Sequence, residues 1–162
     1  GMLSMDDFFS QLYADPNVEH DPCSAGRQMC SHFGTRMLDD KGQWVSQTDN
    51  YNTASDISCT AGQMSRLVGL AWASKLYREN EELSDMTDFS RNGDEIAFGT
   101  IGNASTSEGV FWEAINAAGV LQIPMLMSIW DDEYGISVPA KYQTTKENLS
   151  SILKGLPYWN YQ

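Results

Sequence analysis

The stretch between Glu95 and Trp130 constrains the fold more than any other. Glu95-Ile96-Ala97-Phe98-Gly99-Thr100-Ile101 is an apolar run of strand length, and Gly102 to Ser107 is a small-residue turn with three hydroxyls. Glu108 to Leu121 takes a helical period, with Phe111, Ala114, Ile115 and Ala118 on the inward face. Pro124 then breaks the chain, Met125 to Trp130 forms a second apolar strand, and Asp131-Asp132-Glu133 ends it. Strand, helix and strand in this order make a βαβ unit, whose crossover requires parallel strands that are normally buried. The expected class is α/β, a parallel sheet flanked by helices.

The flanking sequence is less regular. Residues 5 to 14 read as a short helix, with Asp6 and Asp7 in its first turn. Residues 15 to 57 carry Pro, Gly, Asn, Asp and Ser throughout and show no period, which is long for a loop inside a compact domain. Such a stretch either folds over a functional surface or packs on something outside the chain. Thr60 to Glu79 is helical, with Met64, Leu67, Val68, Ala71 and Leu76 on one face. Gly62 and Gly69 each cost that helix about 1 kcal/mol relative to Ala, which points to close approach of another backbone. Residues 80 to 93 read as a polar loop, and a last helix is expected from Lys146 to Lys154, starting at a Thr cap and ending at Gly155. Residues 1–162 are taken as a single partial α/β domain, with Gly1 before Met2 reading as a scar of tag removal.

Composition narrows the function classes. The 162 residues are 41% hydrophobic and 11% aromatic, which is globular rather than disordered. A net charge of −12 disfavours nucleic acid, because a polyanion would meet an excess of carboxylates. Cys23, Cys30 and Cys59 match no zinc spacing, which suggests a reducing compartment and a cytoplasmic location. No membrane span is expected, since the run from Ala117 to Trp130 is broken by Gln122 and Pro124. The start of the chain has no basic region preceding an apolar one and does not read as a signal peptide.

Ligands of an open parallel sheet sit beyond the C-terminal strand ends. Here those ends are Gly102-Asn103-Ala104 and Asp131-Asp132. Neighbouring strands lie about 5 Å apart, so Asn103 and Asp132 are expected to face one point. Ser105-Thr106-Ser107 is expected to open a helix whose free N–H groups favour an anion. An oxygen-ligand pair beside an anion-binding helix start suits a magnesium-bound diphosphate. The alternative is that the small residues only make a tight turn and the acids are solvated.

Gly102-Asn103-Ala104-Ser105-Thr106-Ser107-Glu108-Gly109, followed by Phe111, Glu113, Ala114, Asn116, Pro124 and Tyr134-Gly135-Ile136-Ser137, resembles the α part of thiamine-diphosphate-dependent 2-oxoacid dehydrogenases. These are the decarboxylating first components of the pyruvate, branched-chain 2-oxoacid and related complexes. Their motif runs Gly-Asp-Gly-Ala-Thr-Ser-Glu-Gly, then a helix and a strand, then Asn-Asn-Gly-Tyr-Ala-Ile-Ser. Ala25-Gly26-Arg27-Gln28-Met29 with His32-Phe33-Gly34 resembles the family's Ser-Gly-Arg-Gln-Met segment, and Val68 to Lys75 its small-residue helix. Matches run in family order from about Asp6 to Thr145.

The resemblance implies the thiamine-diphosphate-binding fold, with thiamine diphosphate and Mg2+ as cofactors. It assigns cofactor contacts to Ser58, Thr60, Gly102, Asn103, Ala104 and Ser105. It assigns the metal to Asn103, Asp132 and the main-chain carbonyl of Tyr134. The family's metal-binding Asp and Asn fall on Asn103 and Asp132, an exchange that keeps one carboxylate and one amide at the same separation. Ala104 replaces a Gly where the backbone comes close to the diphosphate. Ser58 is otherwise a helix cap and Gln63 a surface residue. His20 and His32 are read as structural rather than acid–base groups, and Cys59 as an unactivated thiol. Arg27 either holds a carboxylate or phosphate bidentately or pins the long loop by a salt bridge.

The implied partners are a β part, fused or separate, and a lipoyl-bearing acyltransferase, within an oligomeric parent enzyme. The cofactor-activating glutamate belongs to the β part. The chain is therefore expected to be a fragment that is inactive alone, and Leu156-Pro157-Tyr158-Trp159 is read as aromatics cut from their partners. The rival reading, carried by Asn103 and Ala104, is a degenerate, non-catalytic α-like assembly module that has lost the cofactor.

Overall fold

The computed structural model describes residues 3–29, 33–54 and 57–156. Contacts group the chain into two compact units: Gly1–Asp56 with Met86–Phe89, and Ile57–Asp85 with Ser90–Gln162. Cys30, His32, Tyr158 and Trp159 lie outside the described residues.

In the first unit, helix α1 (Met5–Leu12) begins at a reciprocal cap. The Asp7 N–H donates to Ser4 Oγ at 3.0 Å, and the Ser4 N–H donates to Asp7 Oδ2 at 3.1 Å. Such a cap stabilises a helix by about 1 kcal/mol. Beyond α1 the chain is irregular, as its composition predicts, and side-chain-to-backbone hydrogen bonds hold it. Asp21 is only 1% exposed and accepts from Ser24 N–H, Ser24 Oγ and Gly26 N–H. These donors, the Ser24 hydroxyl first, keep its carboxyl below the ordinary value of 3.8. Gly26 has φ +75, and a Cβ there would lie 2.6 Å from the Ala14 carbonyl oxygen, so only Gly fits. Asp39 Oδ1 turns the chain by accepting from the Lys41 and Gln43 N–H groups, beside a bridge between Leu38 and Trp44. Residues 86–89 join this unit through the Trp44–Phe89 edge-to-face pair and a Gln47 N–H to Asp88 O bond.

The second unit contains the βαβ element. Strand β1 (Ala97–Gly102) pairs in parallel with β2 (Met125–Trp130), from Ala97 opposite Met125 to Gly102 opposite Trp130. Helix α3 (Gly109–Leu121) connects them, and α2 (Gln63–Glu79) precedes. Met64, Ala61, Ile101, Phe111 and Ala114 form the core, with Val68, Met127 and Ile129 packed against it. Phe111 is fully buried, which contributes on the order of 2–3 kcal/mol. Two short strands, β3 (Tyr134–Gly135) and β4 (Val138–Pro139), form an antiparallel hairpin, and α4 (Leu149–Leu153) follows.

Several expectations change. The strands are parallel but not buried on both faces: Phe98, Leu126 and Trp130 are 61%, 56% and 70% exposed. Alternation along each strand sends these side chains away from α2 and α3, and nothing among the described residues covers them. On α2, Leu76 is exposed, and the buried position in that turn is Ser74. Its hydroxyl lies 3.0 Å from the Gly93 carbonyl and 2.7 Å from that of Glu95, so a polar residue ties the helix to the approach to β1. A Cβ on Gly62 would meet Cys59 O and Ile57, as expected of a close approach, whereas Gly69 faces open space. The last helix begins at Leu149, capped by Asn148 Oδ1 rather than a Thr, because Lys146 has φ +60 and interrupts the helix.

Candidate functional site

The turn after β1 is built from its own hydrogen bonds. The Asn103 N–H donates to Trp130 O at 3.1 Å, extending the parallel ladder one residue past the strand. Asn103 O accepts from both the N–H and the Oγ1 of Thr106, at 3.1 and 2.6 Å. Residues Ala104–Ser107 form a 3-10 turn, and α3 starts only at Gly109. The helix start expected at Ser105-Thr106-Ser107 is thus separated from α3, because Glu108 takes an extended conformation between the two. Ala104 and Ser105 open the 3-10 turn, where N–H groups have no partner within the helix.

With its backbone engaged, Asn103 turns its side chain inward. The residue is 5% exposed, and its Nδ2 is buried without a hydrogen-bond partner. An orphan donor of this kind costs about 1–3 kcal/mol, which an acceptor arriving with a ligand would offset. Gly102 and Gly109 face open space, leaving room at the strand end.

The loop after β2 is fixed by successive side-chain caps. Asp131 Oδ1 accepts from the Glu133 N–H at 2.9 Å, and Asp132 Oδ1 from the Tyr134 N–H at 3.1 Å. Glu133 has φ +67, a conformation favoured by the Gly that the family motif carries there. Asp132 and Tyr134 are both exposed. The two segments meet at Ala104 and Gly135, where a Cβ on the glycine would lie 2.7 Å from the Ala104 Cβ. The motif has Gly at the first of these positions and Ala at the second. The methyl group has therefore changed sides, as the amide and carboxylate of Asn103 and Asp132 have.

Other expected residues stand elsewhere. Ser58 and Thr60 are exposed in the bend before α2, and Ser58 does not cap that helix, whose N-cap is Gly62. Gln63 is not a free surface residue: its Nε2 donates to Thr100 O at 3.1 Å and joins α2 to β1. Cys59 is an exposed free thiol. In the first unit, Arg27 Nε donates to Ser24 O at 2.9 Å, which pins the loop. His20 is exposed, with Nδ1 2.9 Å from Asp15 Oδ2. The Asn17 N–H and then His20 hold the Asp15 carboxyl below its ordinary value. A concavity of 660 Å³ in this unit is lined by Asp6, Asp7, Asp15 and Glu19, a charge unsuited to a diphosphate.

Sequence reasoning missed Gln143. It lies past the Tyr134–Ser137 motif, and its buried Oε1 has no hydrogen-bond partner. No helix among the described residues is long and apolar enough to cross a membrane.

Comparison with known proteins gives the family. The family described as "Dehydrogenase E1 component" matches residues 23–158. The chain is 31% identical over 139 residues to the 2-oxoisovalerate dehydrogenase subunit alpha of Bacillus subtilis, covering 85% of this chain and 34% of that protein. It is 32% identical over 92 residues to the pyruvate dehydrogenase E1 component subunit alpha of Acholeplasma laidlawii, covering 56% of this chain and 23% of that one. It is 29% identical over 133 residues to a mitochondrial 2-oxoisovalerate dehydrogenase subunit alpha of Arabidopsis thaliana, covering 82% and 22%. The chain spans about a third of the length of the first of these relatives. The expected α/β arrangement, a parallel sheet flanked by helices, is the one the second unit carries, and the chain belongs to the dehydrogenase E1 component family.

Proposed function

We propose that this chain forms the diphosphate-holding part of the α component of a thiamine-diphosphate-dependent 2-oxoacid dehydrogenase. Its parent reaction is oxidative decarboxylation of a 2-oxoacid with acyl transfer to a lipoyl group. A branched-chain substrate is favoured by the 2-oxoisovalerate relatives. The observation that carries the reading is the orphaned Nδ2 of buried Asn103 at the end of β1, beside the Asp132–Gly135 loop.

The donor set suits magnesium. Asp132 offers a carboxylate oxygen, Asn103 an amide oxygen and Tyr134 a main-chain carbonyl, and Mg2+ takes its remaining oxygens from phosphate and water. The N–H groups of Ala104 and Ser105 would receive the anion, with the bare Cα of Gly102 leaving it space. Ser58 and Thr60 would approach the far end of the cofactor. Thiamine diphosphate, when bound, supplies the chemistry of decarboxylation, and these residues bind and orient it. The working assembly would include a β part, fused or separate, and the lipoyl-bearing acyltransferase, as an oligomer in a reducing cytoplasm.

A second reading, a non-catalytic α-like assembly module that has lost the cofactor, draws on Asn103 and Ala104, which stand where the family motif carries Asp and Gly. Calorimetric titration of the full-length protein with thiamine diphosphate and Mg2+ separates the two. Binding by the unaltered protein supports the first reading. Absence of binding, with recovery in Asn103→Asp/Asp132→Asn, supports the second.

A further inference from the structure

Gln143 follows the 3-10 turn Ala140–Tyr142, whose first N–H donates to Glu133 O at 2.8 Å and so holds the turn to the acidic loop. The Gln143 side chain presses on Gly135. A Cβ there would overlap Gln143 Nε2 and would lie 2.8 Å from Oε1 and 2.7 Å from Ala104 Cβ. Gly135, one residue after Tyr134, is thus crowded by both Ala104 and Gln143. Packing alone explains the volume of Gln143 but not its chemistry. A methionine would fill the same space without burying an unpaired carbonyl oxygen, which costs about 1–3 kcal/mol. A buried acceptor with no partner in the chain fits a donor that arrives with a ligand. A hydrated divalent cation brings such donors, because Mg2+ keeps several of its waters.

We infer that Gln143 is a positioning residue of the proposed cation site. Its amide holds the 132–135 loop against Ala104, and its Oε1 accepts a hydrogen bond from a water of the bound cation. This assignment rests on the function proposed above. The test uses the full-length protein, unaltered and as Gln143→Met and Gln143→Glu. Mg2+ is titrated calorimetrically at fixed thiamine diphosphate, and thermal unfolding is followed without ligand. Gln143→Met keeps the volume and removes the acceptor; it is expected to weaken Mg2+ binding about tenfold without lowering the unliganded melting temperature. Gln143→Glu keeps an acceptor oxygen and is expected to bind Mg2+ at least as tightly as the unaltered protein. Unaltered Mg2+ affinity in Gln143→Met overturns the assignment. So does a loss in both variants that tracks a lowered melting temperature, which marks packing alone. If the unaltered protein binds neither cofactor nor Mg2+, the underlying functional reading fails instead, and the first titration shows it.

Discussion

Ala104 and Gly135 compete for the space of one methyl group: the Cβ of Ala104 occupies it, and a Cβ on Gly135 would lie 2.7 Å away. This contact joins the turn after β1 to the loop after β2. It therefore sets how the two halves of the proposed site meet.

Gly135→Ala is expected to destabilise the protein by about 1–3 kcal/mol, the usual cost of overpacking a filled site. Adding Ala104→Gly removes one of the two methyls and should recover much of that loss, although Gln143 still crowds the position. Thermal or urea unfolding of the single and double variants measures the coupling. Strict additivity would show that the two residues do not share the space.

The tie between α2 and the approach to β1 makes a second prediction. Ser74→Ala leaves the Gly93 and Glu95 carbonyls without their shared hydroxyl donor, and should cost about 1–3 kcal/mol. Gly93→Ala should cost more, since Gly93 has φ +72 and its missing Cβ would overlap the Ser74 backbone and Arg78. Equal unfolding midpoints for Ser74→Ala and the unaltered protein would contradict this.

Gln11 makes a third. It is 1% exposed on α1, and neither atom of its amide has a hydrogen-bond partner. Gln11→Met keeps the approximate volume and removes the orphaned polar atoms. It should raise stability by about 1–3 kcal/mol, read as a higher melting temperature. A lowered melting temperature would mean that the amide is needed.

These positions show what was legible in sequence. The apolar runs mark both strands: β2 begins and ends where expected, and β1 starts two residues later than its run. The βαβ order fixes their parallel pairing. Residues 15 to 57 were legible only as irregular, because Asp21, Asp39 and Asn17 hold them by local side-chain-to-backbone bonds that leave no hydrophobic period. The exposure of Phe98, Leu126 and Trp130 was not legible, since an apolar strand does not reveal what covers it. At the candidate site, the proposed ligands Asn103, Asp132 and Tyr134 were legible from spacing and resemblance. Gln143 was not, because its role arises from a tertiary contact with Gly135 across seven intervening residues of no fixed pattern.

A fourth prediction concerns pH. The Asp21 carboxyl is lowered in the folded protein by the Ser24 hydroxyl and the Gly26 N–H, relative to an unfolded value of 3.8. A depressed folded value means that its stabilisation is fully present above the unfolded value and is lost as pH falls through the folded one. Asp21→Asn should therefore lower stability at neutral pH and flatten the acid limb of unfolding below about pH 4. Parallel acid unfolding curves for the two proteins would remove Asp21 from this role.

The central claim is that the end of β1 and the loop after β2 together hold a magnesium-bound diphosphate. Its most direct test is calorimetric titration of the full-length protein with thiamine diphosphate, with and without Mg2+, alongside Asp132→Ala. Saturable, Mg2+-dependent binding is expected, and Asp132→Ala should weaken it by about tenfold or more. Binding of equal strength in Asp132→Ala, or binding indifferent to Mg2+, would contradict it.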